Sequence, residues 1–519
     1  MRRSAVGALV ALCALGIASA ASATVLRVGT YHGIAGQYRS IQAAVNAARP
    51  GDWILIAPGD YHEQGIKGAS EPAGVLVEKA RLHIRGMNRN AVIIDGTKPG
   101  ARTCSSRRSD QEVPRDGRNG IEVFKAAGVY IENLTVCNFL YTTNGDEGNE
   151  IWWNGGDGSG KIGMGSWWGD YLTATSTYSN GVNAPFGAYG IYVSNSRGPG
   201  SVDDSYASNM GDSAYYIGAC PNCNAVIDHV RGQDSALGFS GTNAGGNLLI
   251  ENSQFDHNKT GPTTNSENND DAPSPQNGHC PNGTAGPLGN GICEIWRDNL
   301  IDDNNNPNVP GNGTNAFAGL APVGLGVVLA GGRYMELLDN RIFGNDAWGV
   351  AVVDFPDQET PPPVAHCQGG VYVIPPPASP LCYYPSFGDV VANNSFARNG
   401  DYGNPTNGDI ALYAQEHDPG NCFAGNTDPH GLSSAPANIQ SSPFNPCGQA
   451  NSNTGPTAEA QIACALRLAP CPPGTKYPRP SRSFKLRMAP RQPTMPNPCK
   501  GMPANPWCPR PRSASVSYG

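Results

Sequence analysis

A seven-residue pattern returns along this chain and narrows what it can fold into. An Asn or Asp is followed three residues on by Phe, Tyr or Ile, and six residues on by Asn. It reads Asp203, Tyr206, Asn209; then Asn252, Phe255, Asn258; then Asp298, Ile301, Asn304; then Asp339, Ile342, Asn345; and Asn393, Phe396, Asn399. A degenerate copy at Ile227, Val230 and Gln233 sets steps of 24 and 25 residues, from 203 to 227 to 252. Near the copies runs a second signature, a small residue followed by alternating apolar positions, as in Gly190-Ile-Tyr-Val193, Ala214-Tyr-Tyr-Ile217 and Gly326-Val-Val-Leu329. A period near 24 that holds about three short strands and sharp turns is one turn of a coil. Such a turn cannot bury its apolar face alone, so successive turns must stack. Stacking sets equivalent residues about 4.8 Å apart. Ile191, Val193, Ile217, Phe239, Val327, Leu329, Val350 and Val352 are then expected inside as apolar ladders. Glu122, Tyr192, Tyr216, Ser240, Val328 and Ala351 are expected outside, and the turn Asn side chains are expected to bond backbone and the Asn above.

Composition agrees with a coil. Among 519 residues, 66 Gly and 45 Pro with only 15% charged residues disfavour a helical bundle, and 39% hydrophobic residues in short blocks disfavour a disordered chain. Residues 1–23 read as a secretory signal peptide: Arg2 and Arg3, an apolar run from Ala5 to Ala18, and the small-residue site Ala21-Ser22-Ala23. The run of about 14 residues is short of the roughly 20 that span a bilayer. A secreted, extracellular monomer with no membrane span is expected. Fourteen cysteines remain after Cys13, and an oxidising compartment makes disulfides the default. Close neighbours suggest Cys220/Cys223, Cys280/Cys293, Cys367/Cys382, Cys422/Cys447, Cys464/Cys471 and Cys499/Cys508, leaving Cys104 and Cys137 for each other. Cys220 and Cys223 also have zinc-ligand spacing, but no second pair completes such a site.

The chain divides into a cap at 24–63, a coil at 64–430 and a Cys/Pro-rich basic tail at 431–519. In the cap, Ile41, Ala44, Val45 and Ala48 make one face of a short helix with Ser40 as N-cap, and Trp53 to Ala57 is a strand. Three stretches break the period and are expected to leave the coil as loops: 141–186, 262–290 and 358–387. The first holds Trp152, Trp153, Trp167 and Trp168, which suit either stacking on sugar faces or a satellite core. Residues 465–519 carry ten Lys/Arg and no Asp/Glu, whereas 24–464 carry 23 basic and 43 acidic residues. The tail could dock on an anionic polymer, fold back on the acidic body or stay solvated. It lacks the aromatic interleaving that nucleic acid binding needs.

The opening from Tyr38-Arg-Ser-Ile-Gln-Ala-Ala to Pro58-Gly-Asp-Tyr-His-Glu63, with the Asn-rich repeats, resembles right-handed parallel β-helix proteins of the pectin-lyase-like superfamily. The resemblance covers about 36–430. It implies an all-β fold, a right-handed parallel β-helix (solenoid) with an N-terminal capping helix and loop insertions. It also implies action on an extracellular, acidic polysaccharide as a lyase or glycoside hydrolase, or else a non-catalytic wall protein that binds one. Ile227-Asp228-His229 is similar to the Ile-Asp-His of pectate lyases, without their downstream Arg-x-Pro-x-x-Arg. Asp428-Pro429-His430 matches the Asp-Pro-His of alginate epimerases but follows the last clear turn. No known catalytic set is complete.

Polar side chains concentrate between 203 and 257. Asp203, Asp204, Asp228, His229 and Arg231 are the catalytic candidates, since paired carboxylates can divide acid and base roles on a glycosidic bond and a base with a cation can serve elimination. Asp204, Asp228 and Asp234 are candidate Ca²⁺ ligands, because that ion takes several oxygens. Tyr192, Tyr216 and the four Trp residues of 141–186 are the candidate sugar platforms. Turn-forming Asp is the structural alternative for the carboxylates.

Overall fold

The computed structural model describes residues 23–509 except 64–65, 68–71, 116, 144–147, 221, 268–283, 287–288, 312–316, 358–361, 374–379, 415–419, 442–443, 445–455 and 467–468. The segment expected to be a signal peptide, 1–23, thus lies almost wholly outside the described residues. Two sheets of twelve strands and one of ten run the length of the described chain, and each turn of the coil gives one strand to each sheet. All pairings in these three sheets are parallel save that of the edge strand Ile66–Lys67. The fold is the expected right-handed parallel β-helix. We call the sheets long-strand, middle and short-strand, after strands such as Ser213–Gly218, Ala225–Asp228 and Arg231–Gln233 of one turn.

Alternation along each strand decides what is inside. Ile191, Val193, Ile217, Phe239, Val327, Leu329, Val350 and Val352 all fall in one continuous buried core. The foreseen outward residues Glu122, Tyr192, Tyr216, Ser240, Val328 and Ala351 lie in one row in register, and Trp152, Thr263 and Ala411 also belong to it. The N-terminal end is closed by the helix Ile41–Ala47, whose Ser40 side chain accepts from the Ala43 N–H at 3.1 Å. The middle sheet starts earlier than expected, at Val25–Val28, which pairs with Trp53–Ile56.

Segment 141–186 does not leave the coil as a loop. It supplies Ile151–Asn154, Trp167–Asp170 and Thr173–Thr175 to the three sheets. Its glycines hide the period. Trp153 and Trp167 fill the core, and Trp167 lies in register with Gly200, where any side chain would collide with its ring. The stretch 262–290 also starts late, because Thr260–Asn265 is a coil strand. Of 358–387, the described strands Val371–Val373 and Pro380–Tyr384 do stand apart from the three sheets and pair antiparallel with each other.

The seven-residue pattern marks two Asn ladders. Asn299, Asn340, Asn394 and Asn426 stack at the turn between middle and short-strand sheets. Asn258, Asn304, Asn345 and Asn399 stack at the next turn. Each Nδ2 also donates to a backbone carbonyl of the preceding rung, so turn groups that would be buried unpaired are satisfied. The earlier copies are out of step with these. Asp203 pairs with Asp228 and Asp228 with Glu251, steps of 25 and 23, so Tyr206 faces outward in register with Arg231 and Ala207 takes the inward place.

Five expected disulfides are present: Cys104–Cys137, Cys220–Cys223, Cys367–Cys382, Cys464–Cys471 and Cys499–Cys508. Cys293 and Cys422 are disulfide-bonded as well, and their expected partners Cys280 and Cys447 lie outside the described residues. The helix Pro456–Ala465 packs on the long-strand sheet. From there the basic tail folds back along the body. Lys476 N donates to the Asn404 side chain, the Arg487 carbonyl accepts from Asn209, and Arg89 reaches the Pro493 carbonyl. Arg85 donates to the Pro498 and Lys500 carbonyls, and Trp507 Nε1 to the Ile34 carbonyl at 2.9 Å. Trp507 and Cys508 bury against Trp53, Leu55, Ala57 and Met87 on the outside of the first rung.

Candidate functional site

The middle sheet turns a local sequence habit into a line of charge. Strands Val129–Glu132, Trp167–Asp170, Gly200–Asp203, Ala225–Asp228 and Leu248–Glu251 each end on a carboxylate, and the five pair in register. Strand spacing sets neighbours about 4.8 Å apart. Both ends of the row are neutralised. Arg85 bonds Glu132 through two contacts of 2.8 and 3.0 Å, and Arg297 meets Glu251 at 2.6 Å. Among the described residues, no ion pair includes Asp170 or Asp203.

Two residues earlier on the same face lies an aromatic row. Trp53, His83, Tyr130 and Trp168 stack with centroids 4.0, 4.3 and 4.3 Å apart and planes within 12°. The row ends at Trp168, since the next residue in register is Ser201. Among the described residues no aromatic ring stacks on the second face of Trp168, directly beside the carboxylates. Tyr130, Glu132, Trp168, Asp170, Tyr171, Ser201, Asp203, Asp204, Asp228 and His229 line one open pocket there, with a cavity volume of about 490 Å³.

Crowded like charges cannot all ionise. At about 4.8 Å and an effective dielectric near 20, two carboxylates repel by about 3.5 kcal/mol. Burial, then Asp203, Glu132 and Asp204, push Asp170 from the ordinary value to about 7. Burial and Asp228 push Asp203 upward too. Asp228 differs: His229 Nδ1 sits 2.8 Å from its Oδ1, and Asn252 Nδ2 donates to the same oxygen at 2.9 Å. That hydrogen bond raises His229, whose side chain is 63% exposed. Burial and Asp204 raise the Tyr171 hydroxyl to about 12, so it stays a donor. The pocket thus holds one carboxyl pushed to about 7 and, two rungs away, a second carboxyl hydrogen-bonded by an imidazole whose own pKa that bond raises. Such a pair can divide acid and base roles.

The structure brings together four of the five catalytic candidates, Asp203, Asp204, Asp228 and His229. Arg231 is elsewhere. It turns outward on the short-strand sheet and forks onto Asp256, with both contacts at 2.7 Å. Asp234 does not join Asp204 and Asp228 as a metal ligand either. It lies past the next corner, in a different pocket with His257 and the tail residue Arg487. A turn of the coil separates positions that are close in sequence. Of the proposed platforms, Trp168 lies in the carboxylate pocket, while Trp153 and Trp167 are core residues that cannot meet a ligand. Trp152 stacks on Tyr192 at 5.0 Å and Tyr192 meets Tyr216 edge-on at 4.7 Å, all on the long-strand sheet. There Tyr216 opens into an elongated cavity of about 520 Å³ with walls of Val328, Trp348, Val353 and Phe355 under Ile462. Asp428 is a turn cap, accepting the His430 N–H at 2.6 Å.

Sequence reasoning missed Glu132, Asp170, Glu251 and Tyr130. The signal was present: Val-Tyr-Ile-Glu132, Trp-Trp-Gly-Asp170, Gly-Ser-Val-Asp203, Ala-Val-Ile-Asp228 and Leu-Leu-Ile-Glu251 all end a four-residue strand on an acid.

No protein-family profile matches this sequence, and no curated protein matches it. Solved structures with a similar coil include the mannuronan C-5 epimerase AlgE4 A-module of Azotobacter vinelandii, at 11% identity over 75% of this chain and 90% of that one, with a TM-score of 0.43. Pectate lyase Pel9A is similar at 14% identity over 78% and 77%, TM-score 0.37. The tailspike protein of E. coli bacteriophage HK620, solved with a pentasaccharide, is similar at 12% over 78% and 60%, TM-score 0.43. Likeness at this level bears on neither substrate nor chemistry.

Proposed function

We propose that this is a secreted enzyme of the pectin-lyase-like type that cleaves extracellular polysaccharide in the Tyr130–His229 pocket. The observation that carries the reading is the meeting of the Trp168 ring with Asp170, which burial and neighbouring carboxylates push to about 7, and with Asp228, which His229 and Asn252 hold. A sugar ring stacked on Trp168 lies beside Asp170, which donates its proton to the leaving oxygen. Asp228, positioned by its contacts with His229 and Asn252, accepts a proton from the attacking water. Two rungs separate them by about 9.6 Å, near the upper end of the separation that leaves room for water, so the expected outcome is hydrolysis with inversion. A neutral chain reaches this row directly. An acidic chain needs a Ca²⁺ ion between its carboxylates and Asp203, Asp204 and Asp228. The expected secretion rests on the signal-like segment and the disulfides.

The test is incubation of the mature protein with neutral and uronate polysaccharides, with and without Ca²⁺, following new reducing ends and the absorbance of unsaturated uronate ends. Reducing ends without absorbance support hydrolysis, and their loss in Asp170→Asn and Asp228→Asn places it at this row. Ca²⁺-dependent absorbance would replace hydrolysis by elimination at the same pocket. Silence on both with retention on one polymer would leave a non-catalytic wall protein. The apolar walls of the long-strand cavity favour that second reading, because they offer contact area and little chemistry.

A further inference from the structure

The body grips the basic tail by its main chain. Asn404 accepts the Lys476 N–H at 2.9 Å and donates to the Lys476 carbonyl at 3.0 Å. Asn308 accepts the Ser481 N–H at 2.8 Å, and Asn209 donates to the Arg487 carbonyl at 2.8 Å. Asn90 closes the run on Gln492, accepting its N–H at 3.1 Å and donating to its carbonyl at 2.8 Å. Asn404 follows the strand Ser395–Ala397 and Asn90 precedes Val92–Asp95. These strands are eight steps apart in the short-strand sheet, a span of about 38 Å. A grip on backbone groups leaves the side chains of the tail unused.

Many of those side chains are cations. Lys476, Arg479, Arg482, Lys485, Arg487 and Arg491 are all exposed. Among the described residues, five of the six side chains make no hydrogen bond or ion pair, and Arg487 has only a loose contact with Asp234 at 3.9 Å. No acid offsets them anywhere in 465–519. Lys476, Arg479 and Arg482 recur at every third residue, through a stretch with Pro478 and Pro480 that is neither helix nor strand. An extended Pro-rich chain completes a turn in three residues, so these three share one side at intervals of about 9 Å. The chain then bends at Arg482–Ser483 and runs on past Lys485, Arg487 and Arg491. Rings of the tail turn the other way. Tyr477 packs on Trp348 and Tyr402, and Phe484 is half-buried in the pocket of His257.

We infer that this strip is a docking rail for a linear acidic polysaccharide, which lies along the coil against the six cations. A line of charges on an acidic body selects a thread over a sheet. An anionic bilayer would bring its charge against the whole body, which carries 43 acidic and 23 basic residues over 24–464. A thread touches the strip alone, and at physiological salt charges beyond about 8 Å are screened. Single-stranded nucleic acid would need exposed rings for its bases, and Tyr477 and Phe484 are turned inward. The rail passes the carboxylate pocket: Arg89 donates to the Asp204 carbonyl at 2.8 Å and to the Pro493 carbonyl of the tail at 3.1 Å. Docking on the rail does not depend on cleavage in that pocket.

The test is the affinity of the mature protein for carboxymethyl dextran and dextran sulfate, with dextran as the neutral polymer of the same backbone. Both anionic forms should bind and dextran should not, and raising salt from about 50 to 200 mM should weaken binding at least tenfold. The combined Arg479→Gln, Arg482→Gln and Lys485→Gln variant should bind at least tenfold more weakly, with unchanged far-ultraviolet circular dichroism. Replacing the two Arg by Lys should keep the affinity, because a row of point charges needs no guanidinium fork. Asp170→Asn should also bind as the parent does, which separates docking from cleavage. Should the triple variant misfold, acetylation of the parent decides: bound polymer must protect Lys476 and Lys485 and leave the exposed Lys161 reactive. Equal retention on dextran, salt-independent binding, unaltered affinity of the folded triple variant, or unprotected Lys476 and Lys485 would each overturn the proposal. Tighter binding of phosphatidylserine vesicles or of single-stranded DNA would overturn the choice of partner.

Discussion

Replacing Asp170 by Asn tests the reading of the carboxylate row through stability, without knowledge of the substrate. An ordinary Asp in the unfolded chain loses its proton near pH 4, whereas Asp170 in the fold holds it to about pH 7. Between those values the folded protein binds a proton that the unfolded chain has released. Stability therefore falls as pH rises from about 4 to 7, and the full cost is present above 7. Three units at about 1.4 kcal/mol each set a ceiling near 4 kcal/mol. The carboxyl keeps an edge in water, and screening reduces this by about half, to about 2 kcal/mol. Asn carries no charge and can donate its Nδ2 hydrogens to the neighbouring Asp203 and Glu132. Asp170→Asn should match the parent at pH 4.5 and exceed it by about 2 kcal/mol at pH 8, measured by urea unfolding at both pH values. A variant no more stable than its parent at pH 8, or equally stabilised at both, would refute the account. The same variant should lose activity by about 10²–10⁴-fold if Asp170 is the acid.

Other consequences can be checked in the same preparations. Burial raises Asp212 to about 6, Glu336 and Asp389 to about 7 and Glu294 to about 8, so the wild-type melting temperature should be highest near pH 4–5 and fall toward pH 8. A flat or rising profile over that window would contradict it. Asn340→Ala removes a side chain that donates to the Trp296 carbonyl and Asn394 and accepts from Asn299, and should cost about 3 kcal/mol in urea unfolding. A cost below about 1 kcal/mol would show that the ladder is not what holds that turn. Trp507→Ala should destabilise by about 3 kcal/mol and speed limited proteolysis within residues 23–57, whereas an unchanged cleavage pattern would show that the tail does not guard the first rung.

Coil, cap helix and core were legible because they rest on period and alternation, which a sequence displays directly. Ile191 to Val352 could be assigned to the inside for that reason, and Ser40 to the helix start. Segment 141–186 was opaque because Trp153 and Trp167 do the work that Val or Ile does elsewhere, and glycines give the large rings room. An aromatic pair among glycines reads as an exposed loop unless the strand across the rung is known. Site residues failed or succeeded by corner geometry. Asp203 and Asp228 end equivalent strands and meet. Arg231 and Asp234 lie only three and six residues beyond Asp228, yet each belongs past a bend that sequence distance does not convey. The tail was undecidable, since its contacts are mainly carbonyls and a few side chains spread over many rungs.

The backward run of that tail has a consequence for biogenesis. The outer surface of the first rung, made of residues near 25–57, is covered by residues 499–508, the last part of the described chain to be synthesised. At about 5–20 residues per second, about 20 to 100 seconds separate the two. For that interval Trp53 and Leu55 lack the cover of Trp507 and Cys508, and the outer face of the first rung stays wet. A prematurely terminated chain would keep it wet for good, with an apolar patch that chaperones and proteases recognise.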